Sequence, residues 1–218
     1  MFKYKIYCLL LFLICSFSIG IVRANDFPLL GKVIYLDPGH GGKDPGAVYK
    51  NIRESDINLS ISLKLQEELE KKGAIVHLTR YGDYDLAANN AFLRKRSDLS
   101  RRANIINNSM ADLYLSIHLN ADTSSIWKGA QVFYDGVNEE NEKIAEIFEQ
   151  EFISNLNTNR KSKKLTNQYM YRRIKIPGVL IEAGFLSNHN ERYLLQQEDY
   201  QRKLAEIITR GIIKYFNE

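Results

Sequence analysis

Apolar residues occur along this chain in short runs that alternate with longer segments in which they recur every three or four positions. The short runs are rich in β-branched and aromatic residues and predict strands at residues 32–36, 74–78, 111–117, 129–134 and 178–181. The longer segments predict helices at residues 54–72, 93–108, 138–156 and 197–216. Because strands and helices alternate, we expect a single α/β domain with a mainly parallel twisted sheet flanked by helices on both faces.

The segment at residues 54–72 has a pattern that fits both kinds of element. Its apolar residues alternate with period two between Ile57 and Leu65, as in a strand. However, positions 57, 61, 65 and 69 also form one apolar stripe on a helix, and the segment ends in strong helix formers. We therefore predict a helix, with Ser55 or Asp56 as its cap and Gly73 as its stop.

The first residues are of a different kind from the rest of the chain. Two lysines precede an almost uninterrupted apolar run at residues 6–22, which is the layout of a secretory signal. The run is shorter than the roughly 20 apolar residues that a spanning helix needs. We expect residues 1–24 to be either a signal peptide cleaved after Ala24 or a retained N-terminal membrane anchor, and residues 32–216 to form the functional domain.

Cysteine content and charge narrow the classes of function. Both cysteines, Cys8 and Cys15, fall in the apolar run, so the predicted domain has no thiol for a disulfide or a metal site. The formal net charge is +4, and three of these charges belong to Lys3, Lys5 and Arg23. A domain close to neutrality argues against nucleic-acid binding as its main task.

Side chains that can bind a metal or transfer a proton follow several of the predicted strands. His40 lies in a glycine-rich turn after the first strand, while His118 and Glu182 are placed at the ends of later strands. In parallel sheets such positions meet at one edge, where ligands bind. With Glu54, these residues are the ingredients of a zinc hydrolase with three ligands and one free carboxylate. The spacing alone leaves two alternatives open, a core histidine for His118 and a solvated first-turn acid for Glu54.

Four stretches, in order, resemble the motifs of one enzyme family, the zinc-dependent N-acetylmuramoyl-L-alanine amidases of the amidase 3 type. They read Ile-Tyr-Leu-Asp-Pro-Gly-His-Gly-Gly at 34–42, Glu-Ser-Asp-Ile-Asn-Leu at 54–59, Ala-Asp-Leu-Tyr-Leu-Ser-Ile-His-Leu-Asn-Ala at 111–121 and Pro-Gly-Val-Leu-Ile-Glu-Ala-Gly-Phe-Leu-Ser-Asn at 177–188. Together these motifs are highly specific. The resemblance covers nearly all of residues 32–216, which it identifies as an amidase catalytic domain.

The resemblance also implies the role of each site residue. His40, Glu54 and His118 match the family's ligands for one zinc ion, and Glu182 matches its catalytic glutamate. The implied reaction is hydrolysis of the amide bond between N-acetylmuramic acid and L-alanine in peptidoglycan. The metal would activate water, and Glu182 would accept its proton and pass it to the leaving nitrogen.

A narrower resemblance is to the spore-cortex, CwlD-like subgroup. It rests on residues 99–102 ahead of Ile106 and Asn107, on the sequence Ser-Ile-His-Leu-Asn-Ala around His118, and on residues 128–134. It implies that the enzyme strips peptides from muramic acid, so that a separate deacetylase can form the muramic lactam of the cortex. It also implies action outside the cytoplasm, in the cell wall or the intermembrane space of the developing spore. A chain without wall-binding repeats further suggests an activating or localising partner protein.

Other polar residues have less specific signals. Asp37 is predicted either to orient an imidazole or to cap the glycine-rich loop, and Asn120 either to contact substrate or to stabilise a turn. His77 and His189 are expected to be structural or exposed.

Two competing functions fit the same residues. One is a module that binds peptidoglycan or docks a partner without turnover, and the other is a zinc peptidase that cuts elsewhere in the wall peptide. The basic residues at 160–164 and 172–173 could bind anionic groups of the wall. A run of basic residues is, however, more often a solvent-exposed loop.

Overall fold

A six-stranded sheet lies at the centre of a computed structural model that describes residues 26–218. Its strands are β1 Val33–Pro38, β4 Ile75–Leu78, β5 Leu113–Asn120, β6 Gln131–Tyr134, β7 Lys163–Lys164 and β8 Gly178–Phe185. They lie in the order β4-β1-β5-β8-β6-β7. Neighbouring strands are parallel except for β6 and β8, so β6 and β7 run against the rest. A small hairpin of β2 (Val48–Tyr49) and β3 (Ile52–Arg53) stands apart from this sheet.

Helices connect the strands and cover the sheet. They are α1 Glu54–Lys71, α2 Arg94–Asn107, α3 Glu140–Asn155, α4 His189–Leu195 and α5 Glu198–Asn217, together with a 3₁₀ turn at Tyr171–Arg173. The four predicted helices agree with α1, α2, α3 and α5 within two residues at each end. Short elements such as β2, β3 and β7 were not predicted, because two-residue strands carry no periodicity.

The two faces of the sheet bury different side chains, as the alternation of strand residues requires. Ile34 and Leu36 face a large aliphatic core that includes residues of α1, α3 and α5. Tyr35, which lies between them, faces a smaller core that contains Ala103 and Ile106 of α2. Helices therefore cover both faces, which confirms the predicted α/β architecture.

Helix α1 settles the ambiguity of the segment at 54–72. The stripe of Ile57, Ile61, Leu65 and Leu69 is buried, whereas Leu63 of the period-two pattern is 40% exposed. The predicted cap is wrong, because Arg53 occupies that position without a side-chain cap and both Ser55 and Asp56 lie inside the helix. Ala47 and Pro45 instead accept hydrogen bonds from the first backbone N–H groups of α1.

Strands β5 and β8 extend further than predicted. His118 and Glu182 were placed at strand ends, but both lie within their strands and are partners across the parallel pair. The register shifts between His118 and Asn120, at an irregularity of the strand pair. Such bulges re-aim side chains near functional sites.

The predicted leader at residues 1–24, including both cysteines, lies outside the described residues. Across residues 26–218, none of the helices combines the length and the apolar character that crossing a membrane would need.

Candidate metal centre

The loop after β1 is held in an unusual conformation by two buried arginines. His40 has a positive φ of 62°, which few residues other than glycine adopt. Arg102 donates to the carbonyls of Pro38 (2.8 Å) and His40 (2.6 Å), and Arg80 donates to the carbonyls of Pro38 (3.0 Å) and Gly39 (2.9 Å). A strained residue persists when its surroundings fix it in this way. The arginines therefore set the direction of the His40 side chain.

Asp37 anchors this arrangement from the buried end of β1. Its carboxylate accepts hydrogen bonds from Thr79 (2.7 Å), Arg102 (2.8 Å) and Ser116 (2.7 Å). Burial on its own would raise the pKa of Asp37, but the charge of Arg102 and these hydrogen bonds outweigh it and lower the pKa. Among residues 26–218 the carboxylate caps no loop N–H and reaches the imidazole of His118 only through other side chains. Its partner is an arginine from α2.

His40, Glu54 and His118 converge on one point. Oε1 of Glu54 lies 3.3 Å from Nε2 of His40 and 3.1 Å from Nδ1 of His118, and the two imidazole rings are 4.9 Å apart at 76°. One donor atom from each residue lies within 4.8 Å of the others, so the group could hold a metal ion. The three side chains predicted as ligands therefore lie together.

Glu54 is fixed as a carboxylate rather than solvated. It is 3% exposed, and its oxygens accept from the backbone N–H groups of Ala47 (2.8 Å) and Leu119 (3.1 Å). Burial would raise its pKa, but hydrogen bonds and charges of His118 and His40 lower it far below the usual range. The alternative of a solvated first-turn acid is wrong.

Each imidazole is also contacted on its other ring nitrogen. Oδ2 of Asp44 lies 3.0 Å from Nδ1 of His40, and the hydroxyl of Tyr171 lies 3.4 Å from Nε2 of His118. Neither contact was found from the sequence. Asp44 had a local signal, since it follows His40 by four residues in the glycine-rich loop. No local sequence signal pointed to Tyr171, because it reaches the site from a distant loop.

Two glycines leave room for the imidazoles. A β-carbon at Gly39 would collide with the ring of His118, and one at Gly46 would meet both Glu54 and His40. Gly46 also has a positive φ of 69°, so a larger residue would be strained as well as crowded. The glycine-rich loop is therefore a steric requirement of the site.

Glu182 of β8 is the register partner of His118, so the two side chains lie on the same face of the sheet. It is partly exposed as a residue, but its Oε2 atom is buried and has no hydrogen-bonding partner within residues 26–218. Burial raises the pKa of Glu182 to about 7, with the Glu54 charge adding to the rise and the two imidazoles opposing it. A buried, unpaired carboxyl group is costly in a core and is typical of sites that move protons.

A cavity of about 180 Å³ opens onto this centre. His40 and His118 form one part of its lining, while Lys95, Leu99 and Tyr169 form another. The cavity gives access from solvent to both imidazoles.

The remaining candidates lie away from the centre. His77 and His189 are exposed, as expected. Arg160 packs 4.5 Å from the ring centroid of Phe185, and Lys161 pairs with Glu149, so part of the basic run is used within the fold. The backbone carbonyl of Asn120 accepts from Leu186, in agreement with a structural role.

Comparison with known proteins gives consistent matches. A family model described as Amidase_3, N-acetylmuramoyl-L-alanine amidase, matches residues 34–214. A germination-specific N-acetylmuramoyl-L-alanine amidase of Bacillus subtilis is 47% identical over 197 residues, which cover 88% of this chain and 83% of that protein. The amidase LytC of B. subtilis is 32% identical over 191 residues, which cover 87% of this chain but only 36% of LytC.

Solved structures show the same fold. The CwlD amidase from Clostridioides difficile, in complex with the GerS lipoprotein, has a TM-score of 0.81 and 41% identity, and the match covers 85% of this chain and 98% of that one. An N-acetylmuramoyl-L-alanine amidase from Clostridium difficile 630 has a TM-score of 0.77 and 31% identity, with coverage of 86% and 97%.

Proposed function

The chain belongs to the Amidase_3 family of N-acetylmuramoyl-L-alanine amidases, and on that premise we propose how its site cleaves peptidoglycan. It is an amide hydrolase that acts on the bond between the lactyl group of N-acetylmuramic acid and L-alanine. The observation that carries the mechanism is the meeting of His40, Glu54 and His118. Next to His118 in the sheet lies Glu182, whose buried Oε2 atom has no hydrogen-bonding partner within residues 26–218.

We propose that His40, Glu54 and His118 hold one zinc ion. Two imidazoles and one carboxylate are a donor set typical of catalytic zinc, and three protein ligands leave a position open. When bound, zinc would supply a Lewis acid that acidifies water and polarises a carbonyl group. The distances support Nε2 of His40, Oε1 of Glu54 and Nδ1 of His118 as the ligand atoms.

Hydrogen bonds orient both imidazoles for this role. A chain from Asp37 fixes the protons around His118: the Asp37 carboxylate can only accept, so the Ser116 hydroxyl donates to it. The Tyr171 hydroxyl, 3.2 Å from Ser116, then donates to the serine oxygen. Its own oxygen is left to accept from Nε2–H of His118, so Nδ1, which lies against Glu54, is the nitrogen that would offer a lone pair to a bound metal.

The other imidazole is oriented more directly. Asp44 accepts from Nδ1–H of His40, so Nε2, which faces Glu54, is the nitrogen that would offer a lone pair to a bound metal. Carboxylates commonly support metal-binding histidines in this way. The two rings thus present different nitrogens to a common point.

Glu182 acts as the proton carrier. Its Oε2 atom is free of hydrogen bonds within the described residues, so it is available to accept a proton from the attacking water. It returns that proton to the alanine nitrogen as the carbon–nitrogen bond breaks. The products are the muramic acid carboxylate and a peptide with a free N-terminal amine.

The biological setting is proposed from the relatives. Cell-wall amidases act outside the cytoplasm, and the match to a germination-specific amidase supports a role in forming the muramic lactam of the spore cortex. The proposed leader at residues 1–24 would export the chain, either as a cleaved signal or as an anchor. The C. difficile CwlD amidase was solved with a lipoprotein partner, which supports an extracytoplasmic partner here as well.

Mass spectrometry of purified peptidoglycan digested with the enzyme and zinc tests the reaction. We expect free muramic acid carboxyl groups and intact peptides that begin with L-alanine. Shortened peptides would instead indicate a wall peptidase, and unchanged wall would indicate a binding module. A Glu182→Gln sample serves as the control for contaminating hydrolases.

A further inference from the structure

The guanidinium groups of two arginines pack against the side chain of Tyr169, at the edge of the site cavity. The Cζ atom of Arg173 is 3.6 Å from the ring centroid of Tyr169, and that of Arg96 is 5.0 Å away. Arg96 also donates from Nε to the Tyr169 hydroxyl (3.1 Å), which Ser100 contacts at 2.9 Å. We call Arg96 and Arg173 the arginine pair.

The arginine pair has no acidic partner among the described residues, unlike two other arginines of α2. On the same helix, Arg94 pairs with Asp85 and Arg102 pairs with Asp37. Neither Arg96 nor Arg173 forms an ion pair with any residue in 26–218. Their positive charges are therefore available to a ligand.

The position of the pair connects it to the reaction site. Tyr169 lines the cavity that contains His40 and His118, and Lys95 lines it as well. A second, open groove of about 500 Å³ shares Lys95 and Tyr169 with that cavity and is also lined by Arg96. A chain-like ligand with one bond at the metal centre could continue along this groove.

Stacking on Tyr169 preorganises the arginine pair to bind planar anions. A guanidinium group held against an aromatic ring loses less side-chain freedom on binding than a free one. Its donors match the two oxygens of a carboxylate. The arrangement therefore suits carboxylates better than a neutral sugar.

We propose that the arginine pair binds the carboxylates of the acidic peptide attached to muramic acid, and thereby selects substrates whose peptide is not amidated. This inference rests on the proposed function. The second residue of the wall peptide is a glutamate linked through its side chain, and its α-carboxylate is either free or converted to an amide. The free form offers the arginine pair an anion two residues from the bond that is cut.

The experiment compares two soluble muramyl peptides that differ only in this α-carboxylate or α-amide. We measure kcat/KM on both with the zinc-loaded wild type and with the double variant Arg96→Ala, Arg173→Ala. A control of equal charge change is Arg101→Ala, Arg172→Ala, which uses exposed arginines on the same helix and loop. Melting temperatures of all three proteins check the fold, and Arg96→Lys, Arg173→Lys tests whether charge alone suffices.

We expect the wild type and the control to prefer the carboxylate form by ~10-fold or more, and the arginine-pair variant to lose that preference mainly through KM. An undiminished preference in that variant overturns the inference, as does equal cleavage of both forms by the wild type, while the amidase function stands. Cleavage of neither peptide by the wild type, together with unchanged peptidoglycan, removes the proposed function and this inference with it.

Discussion

At the scale of single residues, the site assigns different work to two glutamates that both lie near the imidazoles. Glu54 is tied by backbone N–H groups and lies against both rings, so it is suited to hold a metal. Glu182 has a buried oxygen without a partner among the described residues and a pKa raised to about 7 by burial. The environment, rather than the residue type, distinguishes the proposed metal ligand from the proposed proton carrier.

Substitutions at the proposed proton carrier and at a proposed zinc ligand should have distinct effects on zinc content and activity. We expect Glu182→Gln to lower kcat by ~10²-fold or more while zinc still binds, because only the proton transfer is lost. His118→Ala should lose both zinc and turnover. Zinc content by metal analysis, measured beside activity, checks this division. Equal loss of zinc in the two variants would contradict it.

The proposed orientation of His118 has its own test. We expect Tyr171→Phe to weaken zinc binding by ~10-fold or more, because the acceptor for Nε2–H is lost while the ring packing remains. Chelator competition gives the affinity, and ¹⁵N NMR of the His118 ring in the zinc-loaded protein reports which nitrogen carries the proton. Tyr134→Phe, whose hydroxyl bonds Glu142 away from the site, is the control. Unchanged zinc affinity in Tyr171→Phe would show that the contact between Tyr171 and His118 plays no part in zinc binding.

At the scale of elements, a buried ion pair joins the sheet to α2. Asp37 of β1 and Arg102 of α2 are each 1% exposed, and the same arginine holds the carbonyls of the His40 loop. The strand, the helix and the loop are thus connected by one guanidinium group. A change in this pair should affect both stability and the geometry of the site.

Acid stability tests the pair. Since the pKa of Asp37 is lowered below 3.8, its ionisation stabilises the fold above about pH 4, and this stabilisation is lost as pH falls through the folded-state pKa. We expect Asp37→Asn to cost roughly 3 kcal/mol at pH 7 and to flatten the pH dependence of unfolding below pH 4. Denaturant unfolding across pH measures both. Asp83→Asn, which breaks an exposed pair with Arg53, should cost less than about 1 kcal/mol. Equal costs in the two variants would argue against a special role for the buried pair.

At the scale of the whole molecule, the sequence predicted most where periodicity or family motifs were strong. The alternation of strands and helices predicted the architecture, and the motifs predicted which side chains meet. The roles of Arg80, Arg102 and Tyr171 could not be predicted, because they depend on contacts between segments far apart in the chain. The arginine partner of Asp37 was missed for the same reason, since a carboxylate next to a loop gives no sign that its partner comes from a helix 65 residues away.

The helix cap shows a similar limit. Ser55 and Asp56 are good capping residues by type, yet the hairpin of β2 and β3 leads the chain into α1 at Glu54. Starting the helix there places Glu54 beside the imidazoles. The position of the candidate metal centre therefore prevails over the local capping preference.

The central claim is that His40, Glu54 and His118 hold one zinc ion while Glu182 stays off it. Anomalous diffraction at the zinc edge from crystals of the zinc-loaded protein tests this most directly. We expect one peak per chain, at about 2.0–2.2 Å from Nε2 of His40, Oε1 of Glu54 and Nδ1 of His118. A peak bound by Glu182 in place of one of these residues, or located elsewhere, would contradict the account.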